Sequence, residues 1–103
     1  MRIIVLFNLK PGVDPEAYEA WARNTDIPGV RTLPSVTHFR VYRTAGLFGT
    51  DQPAPYRYAE IIDITALDPF VADVTSETMQ RVAAEFQTFA EDPKFILTEE
   101  LLA

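Results

Sequence analysis

Residues Asp26 to Tyr42 read D-I-P-G-V-R-T-L-P-S-V-T-H-F-R-V-Y and join a short helical segment directly to a strand. A carboxylate at Asp26 can accept the free N–H groups of a first helical turn, and Pro28 fits a position that needs no donor. Leu33-Pro34 then forces the chain out of helical geometry. Beyond it Val36, His38, Arg40 and Tyr42 alternate with Thr37, Phe39, Val41 and Arg43, which is the period of a strand. One face of that strand therefore carries the only histidine of the chain together with an arginine and a tyrosine.

Upstream, Arg2 to Leu9 (R-I-I-V-L-F-N-L) is apolar on both alternating faces until Asn8, as a central strand buried on both sides would be. Lys10-Pro11-Gly12 turns the chain, and Asp14 with Pro15 opens a helix. Tyr18, Trp21 and Ala22 share the stripe that packs on a sheet, while Glu16, Glu19 and Arg23 face water. Asn24-Thr25 separates this helix from the shorter one that Asp26 caps.

Downstream, Thr44 to Pro55 holds two glycines and two prolines with no sustained period, so it is a long connection and not a tight hairpin. Leu47 and Phe48 at its middle either fold back as a lid or dock on another protomer. Tyr56 to Ile64 is a third strand, with Tyr56, Tyr58, Glu60 and Ile62 on one face. Leu67 to Val74 is a helical turn, and Thr75-Ser76 caps a longer helix with Met79, Val82, Ala83, Phe86, Phe89 and Ala90 on its apolar side. Asp92-Pro93 ends that helix, and the last strand runs from Phe95 to Thr98.

The order βαββαβ predicts one α+β domain over residues 1–103, a ferredoxin-like sandwich with a four-stranded antiparallel sheet. Its helices cover one sheet face, and the other must meet solvent, a ligand or a second sheet. At 103 residues the core is small enough that a second protomer is a reasonable source of further burial. A net charge of -6 with scattered basic residues disfavours nucleic acid, and no segment is long and apolar enough to span a membrane or form a signal core, so a cytoplasmic protein is expected. With no cysteine, one histidine and no glycine-rich phosphate loop, neither a metal centre nor a bound cofactor is expected.

If the second and third strands pair so that His38 lies near Glu60 and Arg40 near Tyr58, one face collects His38, Arg40, Tyr42, Tyr58 and Glu60 beside Asn8. The opposite face then holds Phe39, Val41, Ala59, Ile61, Val5 and Phe7 under the helices. A carboxylate beside an imidazole is an acid-base pair, and aromatic and polar groups around it can hold an aromatic, hydrogen-bonding ligand. The same residues can also form a polar dimer interface. Asp26 is a cap that can double as a catalyst if it borders a cleft, whereas Arg31 and Arg43 read as solvated charges.

The opening R-I-I-V-L-F-N-L-K-P-G-V, the segment T-D-I-P-G-V-R-T-L-P-S-V and the run S-E-T-M-Q-R-V-A-A-E-F followed by F-I-L-T-E-E-L resemble the RedY/HapK family, associated with prodigiosin-type pigment biosynthesis. That family is similar to the dimeric α/β-barrel superfamily, which includes cofactor-free monooxygenases, lactone isomerases and ethyl tert-butyl ether degradation-type cyclases. D-I-P-G-V-R-T-L-P-S-V is similar to the H-x-P-x-x-R-x-L-P-G pattern of the last group, with Asp26 in the place of its histidine. The resemblance implies a homodimer paired through the sheet faces and a small aromatic substrate such as a pyrrole or indole, handled by condensation, cyclisation or dehydration without a cofactor. In this expectation His38 moves the proton, Glu60 or Asp26 orients or charges it, and Trp21, Arg40, Tyr58, Tyr42 and Asn8 position the substrate. Cofactor-free oxygenation and plain binding of a pathway intermediate are the alternatives.

Overall fold

Strand β1 (Arg2–Leu9) takes an inner position in the sheet, as its two apolar faces require, with β3 (Tyr58–Ile64) on one side and β4 (Ala90–Leu97) on the other. Strand β2 (Val36–Arg43) completes the antiparallel order β2-β3-β1-β4. The computed structural model describes residues 1–103. Helices α1 (Pro15–Trp21), α2 (Ile27–Val30), α3 (Leu67–Val74) and α4 (Glu77–Phe89) lie between the strands in chain order, giving the expected ferredoxin-like α+β arrangement.

Asp14 caps α1 by accepting the Glu16 N–H at 3.0 Å, and Ser76 caps α4 by accepting the Met79 N–H at 3.2 Å. The expected break at Asn24-Thr25 does not occur. Residues Ala22–Asp26 form a π-helical turn that runs straight into α2, with the Ile27 N–H donating to the Ala22 carbonyl five residues back. Asp26 is therefore helical, and its side chain caps nothing.

The π turn matters for what faces the sheet. Tyr18, Ala22, Asp26 and Val30 are all buried, each four residues after the last. In a straight α-helix a four-residue step overshoots one turn by about 40°, so three steps would carry Val30 roughly 120° away from Tyr18. A turn closed from i to i+5 absorbs the extra residue and keeps all four side chains on one row. Asp26 is thereby aimed into the protein.

Fourteen buried hydrophobic residues form the core. At its centre the Phe7 ring lies 5.4 Å from Tyr58, 5.5 Å from Tyr18 and 5.0 Å from Phe86. On β3 the buried set is Tyr58, Glu60, Ile62 and Ile64. The predicted face assignment is thus reversed for this strand: Ala59, Ile61 and Asp63 point to the open face. Three large apolar side chains, each contributing about 1.5–3 kcal/mol on burial, outweigh Ala59 and Ile61 and carry Glu60 inward with them. A period of two leaves no intermediate choice.

Strand β4 begins earlier than predicted, at Ala90. A register shift lies opposite Leu6 and Asn8, with Asp92 at φ 45. Because β4 is an edge strand, Pro93 interrupts no inner ladder, and aspartate is among the residues that tolerate the left-handed conformation. The helix ends at Phe89, three residues before the expected stop, and Asp92-Pro93 lies within the bulged strand. The 44–57 connection is pinned at its base, where the Thr44 N–H donates to the Arg57 carbonyl at 2.9 Å, while Phe48 is fully exposed.

Candidate active site

Asp26, delivered by the π turn, and Glu60, from the middle of β3, line one cavity of ≈ 120 Å³ between the helices and the sheet. Its other walls are apolar, among them Val30, Phe39, Ile62, Met79 and Phe86. Both carboxyls are buried, at 6% and 4% exposure, and the ion pairs of the chain all lie elsewhere. Burial pushes the Asp26 carboxyl up to about 7. Glu60 is raised well above the usual carboxylate range by burial first and by the neighbouring Asp26 charge second. Near neutral pH such a pair retains a proton, so the cavity holds a carboxylic acid and a carboxylate together. That is the composition of a general acid and a general base in an apolar site.

Beside this cavity a polar network ties α1 to the end of β2. Glu19 accepts two hydrogen bonds from Arg43, at 2.9 and 2.7 Å, and one from the Tyr58 hydroxyl at 2.7 Å. These donors hold its carboxyl down at about 2. Glu19, Arg43 and Tyr58 border a cleft of ≈ 330 Å³ together with Tyr18, Val41 and Tyr42. Glu19, expected to face water, is drawn into this network at 16% side-chain exposure, while Arg43 remains an exposed charge as expected and pairs with it. Arg31 is exposed as expected and donates through Nε and Nη2 to the Phe39 carbonyl at 3.1 and 2.9 Å.

The predicted register of β2 on β3 is corrected: His38 lies opposite Asp63, Arg40 opposite Ile61, and Glu60 opposite Val41. His38 and Glu60 consequently occupy opposite faces of the sheet and form no acid-base pair. His38 is exposed, and Arg40 Nε donates to its Nε2. Around it lies a shallow edge depression lined by Arg31, Val36, Thr37, Phe39 and Arg40. Tyr42 lies on the same strand face, 49% exposed. Tyr58 is on the helix side, in the core.

Asn8 secures the long connection, accepting from the Arg57 N–H at 2.8 Å and donating to the Pro55 carbonyl at 3.2 Å. Trp21 closes the seam between α1 and α4, with its Nε1 donating to Glu85 Oε1 at 2.8 Å and its ring 5.3 Å from Phe89. Of the sequence-predicted set, the fold brings Asp26 and Glu60 into one cavity and holds His38, Arg40, Trp21 and Asn8 outside it. No group of three histidine, aspartate or glutamate side chains converges in a way that would hold a metal ion. Sequence reading missed Glu19 as the acceptor that joins Arg43 and the Tyr58 hydroxyl. The row Tyr18-Ala22-Asp26-Val30, one residue in four, was the available signal that Asp26 lies inside.

None of the curated proteins compared with the chain matches it. Among solved structures, HapK from Hahella chejuensis is 30% identical, with 100% of this chain and 99% of that one covered at a TM-score of 0.72. An ethyl tert-butyl ether degradation (EthD) family protein from Bacillus halodurans shares the fold at 16% identity, TM-score 0.76, over 98% of this chain and 99% of that one. A dimeric ferredoxin-like protein from Thermobifida fusca does so at 19% identity, TM-score 0.70, over 92% and 85%. The family model described as REDY-like protein HapK matches residues 1–101, and the chain belongs to that family.

Proposed function

We propose that the protein is a cofactor-independent enzyme of secondary metabolism, a cytoplasmic homodimer that transfers protons on a pyrrole- or indole-type intermediate in a condensation, cyclisation or dehydration. The observation that carries this reading is the Asp26–Glu60 pair facing a single apolar cavity. In it the protonated carboxyl gives its proton to a carbonyl or departing hydroxyl oxygen while the ionised one accepts a proton from the ring. The shared proton changes sides, and solvent exchange resets the pair. Apolar walls favour a flat aromatic substrate and keep the acid protonated until it reacts.

The open sheet face supports the homodimer. Ile4, Leu6 and Ile61 lie there partly exposed beside Ile96, with His38, Arg40 and Tyr42 toward one edge. A second sheet laid on this face would bury the apolar strip and leave the polar groups at its rim. The exposed Phe48 suits docking on that second copy better than covering its own chain.

A panel of pyrrole and indole intermediates, incubated with the protein while product is followed by mass spectrometry and oxygen by electrode, tests the proposal. Product without oxygen uptake, abolished in Glu60→Gln and Asp26→Asn, is the expected result. Stoichiometric oxygen uptake would replace it with cofactor-free oxygenation. Undiminished product formation in both carboxyl variants would make the protein a binder of the intermediate.

A further inference from the structure

Arg23, Arg43 and Arg57 are far apart in the sequence, on the π turn, at the end of β2 and just before β3, yet they border one depression together with Glu16 and Glu19. Three of the nine basic residues thus meet in one place on a chain of net charge -6. Glu19, Arg23 and Arg43 also line the ≈ 330 Å³ cleft, so the arginine cluster and the cleft are continuous through them. Ala22, Ile27 and Val41 give the cleft apolar walls next to the half-exposed Tyr42.

Donors and acceptors in this cluster are unbalanced. Glu19 Oε1 accepts from Arg43 Nη2 at 2.7 Å and from Arg23 Nη2 at 3.4 Å, while Oε2 accepts from Arg43 Nε at 2.9 Å and from the Tyr58 hydroxyl at 2.7 Å. A carboxylate offers about four acceptor sites, and all of them are taken. Arg43 commits only Nε and Nη2 to it, Arg23 only Nη2, and Arg57 takes part in none of the ion pairs of the chain. Guanidinium hydrogens are therefore left over beside a carboxylate that can accept no more. With Glu16 and Glu19 set against the three arginines, one positive charge is in excess, which suits a monoanion.

We propose that this cleft is a second ligand site, separate from the Asp26–Glu60 cavity, and that it binds an organic monocarboxylate with a flat apolar body. The carboxylate takes the free guanidinium hydrogens in the fork geometry that suits planar anions, and the body lies against Ala22, Ile27, Val41 and Tyr42. A phosphate dianion exceeds the charge available and uses none of the apolar wall. The inference does not depend on the chemistry assigned to Asp26 and Glu60, since neither lines the cleft.

Calorimetric titration with phenylacetate, its neutral isostere phenylacetamide, and acetate tests it. Wild type should bind phenylacetate at least about 10-fold more tightly than either of the others, with an affinity that falls as salt is raised. Arg23→Gln and Arg57→Gln, at exposed positions that the fold does not depend on, should each weaken phenylacetate about 3- to 10-fold and leave phenylacetamide unchanged. Glu60→Gln should bind phenylacetate as wild type does. No binding of phenylacetate, or equal binding of phenylacetamide or acetate, would overturn the site, and so would wild-type affinity in both arginine variants. Loss of phenylacetate in Glu60→Gln alone would move the ligand to the carboxyl cavity and overturn it too. Undiminished turnover in Glu60→Gln, by contrast, would sink the carboxyl-pair reading and leave the cleft site standing.

Discussion

The two faces of the sheet hold carboxylates under opposite conditions. On the open face Asp63 is solvated and receives two hydrogen bonds from Arg2, at 2.7 and 3.0 Å, so it stays ionised below the usual carboxylate range. On the helix side Glu60, three residues earlier, sits among apolar walls with no cation, and burial moves it the other way. Both residue types are ordinary. Their environments make one a cross-strand ion pair and the other a carboxyl that burial inclines to keep its proton.

The largest test of this contrast is catalytic. Glu60→Gln should reduce turnover by about 10²–10⁴-fold, the usual worth of a positioned acid or base, whereas His38→Ala should stay within about twofold. Equal loss in both variants would mean that the open face also carries chemistry.

The next effect is on stability against pH. Asp26 moves from 3.8 in the unfolded chain to about 7 in the folded one, so the folded state binds more protons between these values. Stability is then fully present below about pH 4 and declines as pH rises through 7, by on the order of 4 kcal/mol in total. Glu60, raised by the same burial, adds in the same direction. Urea unfolding at pH 5 and pH 8 should show wild type weaker at pH 8, with the slope reduced in Asp26→Asn and that variant the more stable of the two at pH 8. Glu19 works with the opposite sign: its depressed carboxyl contributes stability above about pH 4.5 that is lost as pH falls toward 2.

Glu19→Ala should cost about 1–3 kcal/mol at pH 7, since it leaves the buried Tyr58 hydroxyl without its acceptor, and a denaturant series measures it. The smallest effect belongs to the open face. Arg2→Ala removes an exposed, solvent-screened pair with Asp63 and should leave the denaturation midpoint almost unchanged. Leu6→Lys should leave the circular dichroism spectrum unchanged while shifting sedimentation from dimer to monomer, and a dimer that survives it would move the interface away from this face.

Local physics made the fold legible. Strand alternation, the caps at Asp14 and Ser76 and the order βαββαβ act over a few residues, and the sequence by itself determined the four strands, the α4 stripe and the pairing of family segments with the REDY-like HapK group. It also marked Asp26 and Glu60 as residues able to carry chemistry. What it did not contain was their meeting. Asp26 looks like a cap because a carboxylate before Ile-Pro suits a first turn, and only the π turn, sustained by packing Tyr18, Ala22 and Val30 against the sheet, turns it inward. Glu60 could have faced either side of its strand. The tertiary structure decided the matter by weighing whole faces, Tyr58, Ile62 and Ile64 against Ala59 and Ile61, and that balance belongs to no single residue.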